Sequence, residues 1–279
     1  MTKAFFIGAP KCGTSTLYNV FKTSSSVRVQ EPKETHFFSH PEVSKTYYKV
    51  EFVDDIESYQ NSFIGNGFID IDFSPSYLRL YKHALPRIKK FAPDAKIVIL
   101  LREPVSRAKS HYLMDVSLGY QSKPFLDAIK EEKYYKEYIE NSLYSEATTE
   151  YLKHFKEVYI TTYEELFNSE KKFKELTDFL QIEEIKHKLL NEQADNKFRQ
   201  PRSHAAIRFL RKSGVLDLLK KSVPDKIYKE IKKRGYRAAD KPNIDTYGLE
   251  QHFKEDIKNL EGICKNLELG KWWNKNEQF

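Results

Sequence analysis

One stretch constrains this chain more than any other: Gly8-Ala9-Pro10-Lys11-Cys12-Gly13-Thr14-Ser15-Thr16, placed directly after the apolar run Ala4–Ile7. An apolar strand, a loop bounded by glycines and a helix from Ser15 to Phe21 gather backbone N–H groups and a helix N-terminus around a phosphate. Gly8 and Gly13 keep the spacing of the triphosphate loop G-x-x-x-x-G-K-[ST]. The chemistry differs. Thr14 stands where the lysine after the second glycine belongs, and the loop's own lysine, Lys11, lies inside it. The loop is expected to hold a phosphate but is badly built for the magnesium-bridged β,γ-phosphates of a triphosphate.

Apolar and amphipathic runs alternate beyond this loop. Ala4–Ile7, Gly67–Phe73, Ala95–Leu101 and Val158–Thr161 read as strands. Pro104–Met114, Pro124–Glu132, Ser169–Leu180 and Phe253–Leu267 read as helices. Strands separated by helices predict an α/β fold, a P-loop-type three-layer domain with a central parallel sheet flanked by helices. With 279 residues and no internal repeat, a single domain over 1–279 is expected. Within it, the irregular, aromatic-rich stretch 31–66 reads as a substrate loop or lid, and 196–245 as a helical basic insertion.

No apolar run approaches the roughly 20 residues that span a bilayer, and no secretory h-region opens the chain. Cys12 and Cys264 are the only cysteines, and one sits in the phosphate loop, which argues against a structural disulfide or a zinc site. A cytoplasmic protein is expected. The net charge of +7, with clusters at Lys220-Lys221 and Lys232-Lys233-Arg234, reads either as a solvated surface or as attraction for an anionic nucleotide or acceptor. No nucleic-acid module pattern is present, so nucleic acid is not expected as a partner.

A second constellation follows the run Ile97–Leu101: Arg102-Glu103-Pro104-Val105-Ser106-Arg107-Ala108-Lys109-Ser110-His111-Tyr112. A strand running into an arginine, then a proline suited to a first helical turn, projects that arginine into the crevice where open α/β sheets bind ligands. Ser110, about two turns along the helix, can face the same crevice. A planar guanidinium fork and a hydroxyl suit a phosphate. A triphosphatase would place a metal-holding aspartate at such a strand end, whereas here a cation stands there. Taken alone, Arg102 also reads as a surface residue closing a strand. Taken together, the two motifs describe a nucleotide phosphorylated in two separate places and bound without metal.

At this point the chain resembles the sulfotransferase superfamily, whose donor is 3′-phosphoadenosine-5′-phosphosulfate. The resemblance implies that Lys11, Cys12, Gly13, Thr14, Ser15 and Thr16 bind the 5′-phosphosulfate and that Arg102 and Ser110 bind the 3′-phosphate. Val158–Leu166, ending in Tyr163-Glu164-Glu165-Leu166, is similar to a later strand of the family followed by Tyr-Glu-x-Leu. Phe253–Glu261, with Trp272 and Trp273, is similar to the end of its bacterial and heparan-type members. The likeness covers nearly the whole chain, most loosely at 39–66 and 183–235.

Glu31-Pro32-Lys33-Glu34-Thr35-His36-Phe37-Phe38 is similar to the heparan-type segment in which a glutamate precedes x-[His/Gln]-Phe-Phe. That likeness implies Glu34 as the general base, taking the acceptor hydroxyl's proton. His36 is the rival base, as in the cytosolic small-molecule branch; otherwise it helps position the acceptor. Lys11 is implied at the bridging oxygen between phosphate and sulfate, steadying charge on the leaving adenosine 3′,5′-bisphosphate. Cys12 reads as a small residue that fits the loop.

The heparan-type pattern is not followed throughout. Phe73 stands where a lysine would precede Ser74-Pro75-Ser76-Tyr77. Pro242-Asn243-Ile244-Asp245 matches a run that would put Arg237 at the lysine of a Lys-Gly-Arg loop, with Ala238 and Ala239 replacing the other two. Arg237 is thus a candidate nucleotide contact, and Arg202 a basic residue without an assignment. A bacterial-type enzyme sulfating a hydroxyl of a carbohydrate or glycoconjugate fits better than one acting on a heparan-like polymer, with a non-sugar small-molecule alcohol as the alternative acceptor. The competing classes are a divergent P-loop kinase, with Asp70 or Asp72 offered to magnesium, and a non-catalytic nucleotide-binding protein. Oligomeric state leaves no signature in the sequence.

Overall fold

A strand covered on both faces reads as a continuous apolar run, and this is why Ala4–Ile7 and Ile97–Leu101 stand out: all are almost wholly buried at the centre of the sheet. The computed structural model describes residues 1–183, 185–193, 199–213, 215, 223, 235–238 and 242–272. Strands β1 (Thr2–Gly8), β2 (Val27–Gln30), β3 (Phe63–Ile64), β4 (Ile69–Asp72), β5 (Lys96–Leu101) and β6 (Glu157–Thr162) form one sheet, in the order β3-β2-β4-β1-β5-β6. All neighbours pair in parallel except β3, which runs antiparallel to β2 with Ile64 opposite Val29. The expected parallel sheet therefore carries one antiparallel edge strand. Neither β2 nor β3 is legible as a strand in the sequence, since they are only four and two residues long.

The first connections are α1 (Thr14–Phe21), α2 (Ile56–Asn61), α3 (Ser76–Arg79), α4 (Tyr81–Phe91) and α5 (Pro104–Leu118). They are followed by α6 (Phe125–Ala128), α7 (Glu132–Tyr138), α8 (Ser145–His154), α9 (Tyr163–Asn168) and α10 (Glu170–Leu180). Next come α11 (Lys188–Gln193), α12 (His204–Lys212) and a last helix, Lys254–Ile263. Where the sequence predicts one helix over Pro124–Glu132, the chain forms α6 and α7 with a break between them. Phe73, at the position of the heparan-type lysine, is fully buried and stacks on Phe6 with ring centroids 4.4 Å apart. It is a core residue, which explains why no cation stands there.

Stretch 31–66 is more ordered than a bare loop, holding two 3-10 turns (Phe37–Ser39 and Glu42–Ser44), α2 and β3. Phe38 anchors it, packing edge-on against Phe5 and Tyr59. The stretch 196–245 is not simply helical. Besides α12, β7 (Arg199–Pro201) and β8 (Tyr236–Ala238) form an antiparallel ribbon that packs against α5. The lysine clusters at 220–221 and 232–234, together with Gly214, Pro224, Ala239 and Trp273, lie outside the described residues.

Candidate functional site

The loop after β1 lies across the strand ends, where Ala9 N donates to Leu100 O at 2.7 Å. Both glycines are required by backbone and by contact. Gly13 has φ +92°, and a Cβ there would lie 2.7 Å from the Phe167 ring; at Gly8 it would lie 2.6 Å from Leu78 Cβ. α1 begins at Thr14 with no side chain capping its N-terminus, so the leading N–H groups face outward for an anion. Thr14 and Thr16 are buried beneath the loop, whereas Ser15 is exposed. Cys12 is buried, its Sγ 3.7 Å from Pro10 O, and burial pushes its thiol up to about 12. Such a thiol packs; it does not attack.

Lys11 takes a left-handed backbone, φ +71°, an uncommon conformation for a residue with a side chain. Its carbonyl accepts from Arg102 Nη1 at 3.2 Å, so a side-chain hydrogen bond adds to the Ala9–Leu100 backbone bond in joining the end of β5 to the phosphate loop. The Arg102 guanidinium lies over the Tyr163 ring, 4.7 Å from its centroid, and its Nε is buried without a partner. Glu164 Oε2, also buried, has no partner either, and burial pushes that carboxyl up from its ordinary value. Glu103 starts α5 by accepting from Val105 N and Ser106 N at 2.8 Å. Orphaned polar atoms beside an uncapped helix N-terminus mark a place shaped for a polar ligand, and the donor set here suits a phosphorylated nucleotide.

Ser110 is half-buried on α5, and among the described residues no hydrogen bond joins it to Arg102. Arg237 is exposed on β8 opposite Gln200, in the ribbon that packs on α5. Arg202, also exposed, donates its backbone N–H to Gly235 O at 2.9 Å. The ribbon thus brings two arginines toward the helix that carries Ser110, though among the described residues no hydrogen bond links them to the Lys11 loop.

Glu34 and His36 sit in left-handed backbone, with φ +65° and +54°. Lys33 Nζ pairs with Glu34 Oε1, and His36 Nε2 lies 3.7 Å from Glu34 Oε2. On its other side, His36 Nδ1 is 2.8 Å from Ser76 Oγ, which meets Ser39 Oγ at 2.8 Å. Burial, aided by Lys33 and Arg79, holds the imidazole below its ordinary value while Glu34 pulls it up. Lys11 is likewise held down by burial and by Arg107 and Arg102, while Glu34 and Asp115 raise it. Its ammonium rests 3.4 Å from Met114 Sδ on α5. Three segments far apart in sequence therefore share one electrostatic neighbourhood.

Sequence reasoning misses what lies behind this neighbourhood. Arg107 is fully buried and spends Nη2 on Glu137 O and Tyr138 O at 2.8 and 2.7 Å. Beside it, His111 Nε2 meets Tyr48 OH at 2.8 Å. A cleft of about 640 Å³ opens from Ala9 and Pro10, next to Lys11, and is lined by Arg79, Tyr81, His83, Asn141, His252 and Glu255 among others. Its walls come from four separate stretches, so only the run preceding Lys11 announces it. Among the described residues no group of three His, Cys, Asp or Glu side chains could hold a metal ion.

The sulfotransferase domain family matches residues 1–238 of the chain. Among solved structures, the chain is similar to a sulfotransferase from Alicyclobacillus acidocaldarius, at TM-score 0.68 and 21% identity over 98% of this chain and 99% of that one. It is also similar to mouse sulfotransferase SULT7A1 complexed with PAP, at TM-score 0.50 and 19% identity over 98% and 87%. At these identities the likeness speaks for the fold. No curated protein matches the sequence.

Proposed function

Because the chain belongs to the sulfotransferase domain family, we propose that it moves a sulfuryl group from 3′-phosphoadenosine-5′-phosphosulfate to a hydroxyl of a carbohydrate or glycoconjugate. The observation that carries this reading is the bond from Arg102 Nη1 to Lys11 O, which brings the two proposed phosphate motifs together. The leading amides of α1, with Gly13 and the hydroxyls of Thr14, Ser15 and Thr16, hold the 5′-phosphate end. Arg102 and Ser110, with Arg237 from the ribbon, hold the 3′-phosphate. No metal is needed, since guanidinium and ammonium groups supply the positive charge.

Transfer is in-line. The acceptor oxygen forms a bond to sulfur as the bond from sulfur to the bridging oxygen breaks, and the electron pair leaves on the 5′-phosphate. Lys11 meets the charge that develops there, the place where a preorganised donor is worth most. Glu34 takes the acceptor's proton. His36, tied to Ser76 and held neutral by burial, orients Glu34.

The cleft that opens from Ala9 and Pro10 is lined by neither Lys11, Glu34 nor His36, but its Arg79, His83, Asn141, His252 and Glu255 offer hydrogen-bonding groups that favour a hydroxyl-rich acceptor. A non-sugar alcohol is the second reading, favoured by the Leu78, Leu80 and Leu143 lining. The kinase reading loses its metal ligands to other work. Asp70 pairs with Lys3 at 2.7 Å, and buried Asp72 accepts from two tyrosines. No helix among the described residues is long and apolar enough to cross a membrane. We place the activity in the cytoplasm, where the free thiols of Cys12 and Cys264 stay reduced. The test is mass spectrometry of a panel of glycosides and simple alcohols incubated with the donor. A sulfated glycoside is the expected product; sulfation of alcohols alone moves the acceptor class, and phosphorylation with ATP overturns the reading.

A further inference from the structure

The segment that carries Glu34 and His36 is fastened to the fold at two buried carboxylates. Asp115 on α5 is wholly buried, and three tyrosine hydroxyls donate to it. Tyr138 reaches Oδ2 at 2.6 Å, Tyr48 reaches Oδ1 at 2.5 Å, and Tyr47 also donates to Oδ2. Tyr47 and Tyr48 belong to the 31–66 segment, whose Thr46 hydroxyl donates to Glu137 on α7 at 2.9 Å. The second carboxylate is Asp72, at the end of β4, whose Oδ2 accepts from Tyr59 at 3.1 Å and Tyr77 at 2.9 Å. Tyr59 lies on α2 of the same segment, and the Tyr77 hydroxyl also accepts from Phe38 N at 3.4 Å.

An ionised carboxylate accepts only, with about four lone-pair directions on two oxygens, so it can satisfy three hydroxyls at once. No neutral side chain of similar size does this. The same turn of α5 reaches the donor side, because Met114, next to Asp115, touches the Lys11 ammonium. One helix turn therefore contacts both the acceptor-side segment and the catalytic lysine.

We propose that Asp115 is a positioning residue: by clasping Tyr47 and Tyr48 it sets the height of Glu34 and His36 over the Lys11 loop, with Asp72 holding the other end of the segment. The roles of Glu34 and Lys11 in this statement rest on the sulfotransfer reading; the clasp itself does not.

The full chain is compared with Asp115→Ala and with the pair Tyr47→Phe and Tyr48→Phe, which keeps the ring packing and removes only two oxygens. Amide hydrogen exchange over residues 44–53 reads the clasp. The titration midpoint of the His36 ring by NMR, assigned with His36→Gln, reads the position of the catalytic segment. Glu34, Lys33 and Arg79 face that ring and are unchanged in every variant. Exchange is expected to speed at least tenfold in both variants, with the His36 midpoint rising toward the ordinary value of about 6.5 as burial is relieved. The affinity for adenosine 3′,5′-bisphosphate should stay within threefold of the parent. Wild-type exchange in the tyrosine pair overturns the clasp, and faster exchange with an unmoved His36 midpoint overturns the positioning role. Where Asp115→Ala does not fold, the tyrosine pair decides. Failure of the parent chain to bind the bisphosphate would sink the sulfotransfer reading while leaving both readouts of the clasp intact.

Discussion

His36 Nε2 stands 3.7 Å from Glu34 Oε2, while its other ring nitrogen meets Ser76 Oγ at 2.8 Å. The two candidate bases are therefore one unit, a carboxylate at the front and an imidazole held behind it. Burial keeps the imidazole below its ordinary value, which favours its uncharged form at neutral pH. Glu34→Gln is expected to lower turnover by about 10²–10⁴, the range for loss of a general base, with bisphosphate affinity retained. His36→Gln should cost less. Rate assays on both variants check this, and the opposite order would assign the base to His36.

Lys11 is expected to matter to chemistry and little to folding. Lys11→Ala should lose about 10²–10³ in turnover, the cost of one preorganised donor at a developing anion, while circular dichroism and the melting temperature stay near those of the parent. Burial, Arg107 and Arg102 hold the Lys11 ammonium below the ordinary lysine value of 10.5. Activity measured as kcat/KM should therefore fall on the alkaline side before that pH. In Lys11→Arg the guanidinium stays protonated, so the alkaline limb should move outward.

In the proposed nucleotide site, Arg102 joins the two halves. Arg102→Ala is expected to weaken adenosine 3′,5′-bisphosphate binding by about 10–100-fold, the worth of charged hydrogen bonds at roughly 1.5–3 kcal/mol. Arg102→Lys should recover little, because an ammonium lacks the fork and lies less well over the Tyr163 ring. Calorimetry with the bisphosphate reads both, and an unchanged affinity in Arg102→Ala would remove the residue from the site.

Burial raises the Asp72 carboxyl to about 6 from an ordinary value of 3.8. The native chain thus holds more protons than the unfolded chain between those values, and Asp72's contribution to stability is lost as pH rises through about 6. The amide in Asp72→Asn cannot titrate, so that variant's stability deficit should shrink between about pH 4 and pH 7, by roughly 1–3 kcal/mol. Denaturant unfolding at both pH values checks the sign; a deficit that grows with pH contradicts it.

The residues of the proposed donor site stand out in the sequence because they are contiguous. Gly8 and Gly13 announce a backbone that only glycine takes freely, and Arg102 follows a strand whose apolar run is unbroken. Strands β2 and β3 are not legible, since Val27–Gln30 and Phe63–Ile64 are too short to show a period. The departure at Phe73 reads correctly only with the fold in hand, where its stacking on Phe6 places it in the core. Asp115 gives no sign at all. Its partners Tyr47 and Tyr48 lie 68 and 67 residues away, and a buried polar network has no sequence periodicity. The ribbon bearing Arg237 is missed because its three-residue strands are too short to show a strand period.

A metal-free site for a nucleotide phosphorylated at two separate positions is the claim on which every other role depends. Thermal unfolding in EDTA decides it. Adenosine 3′,5′-bisphosphate should raise the melting temperature in a saturable way, and ATP with magnesium added in excess of the chelator should not. Stabilisation by magnesium-ATP with no response to the bisphosphate would contradict it.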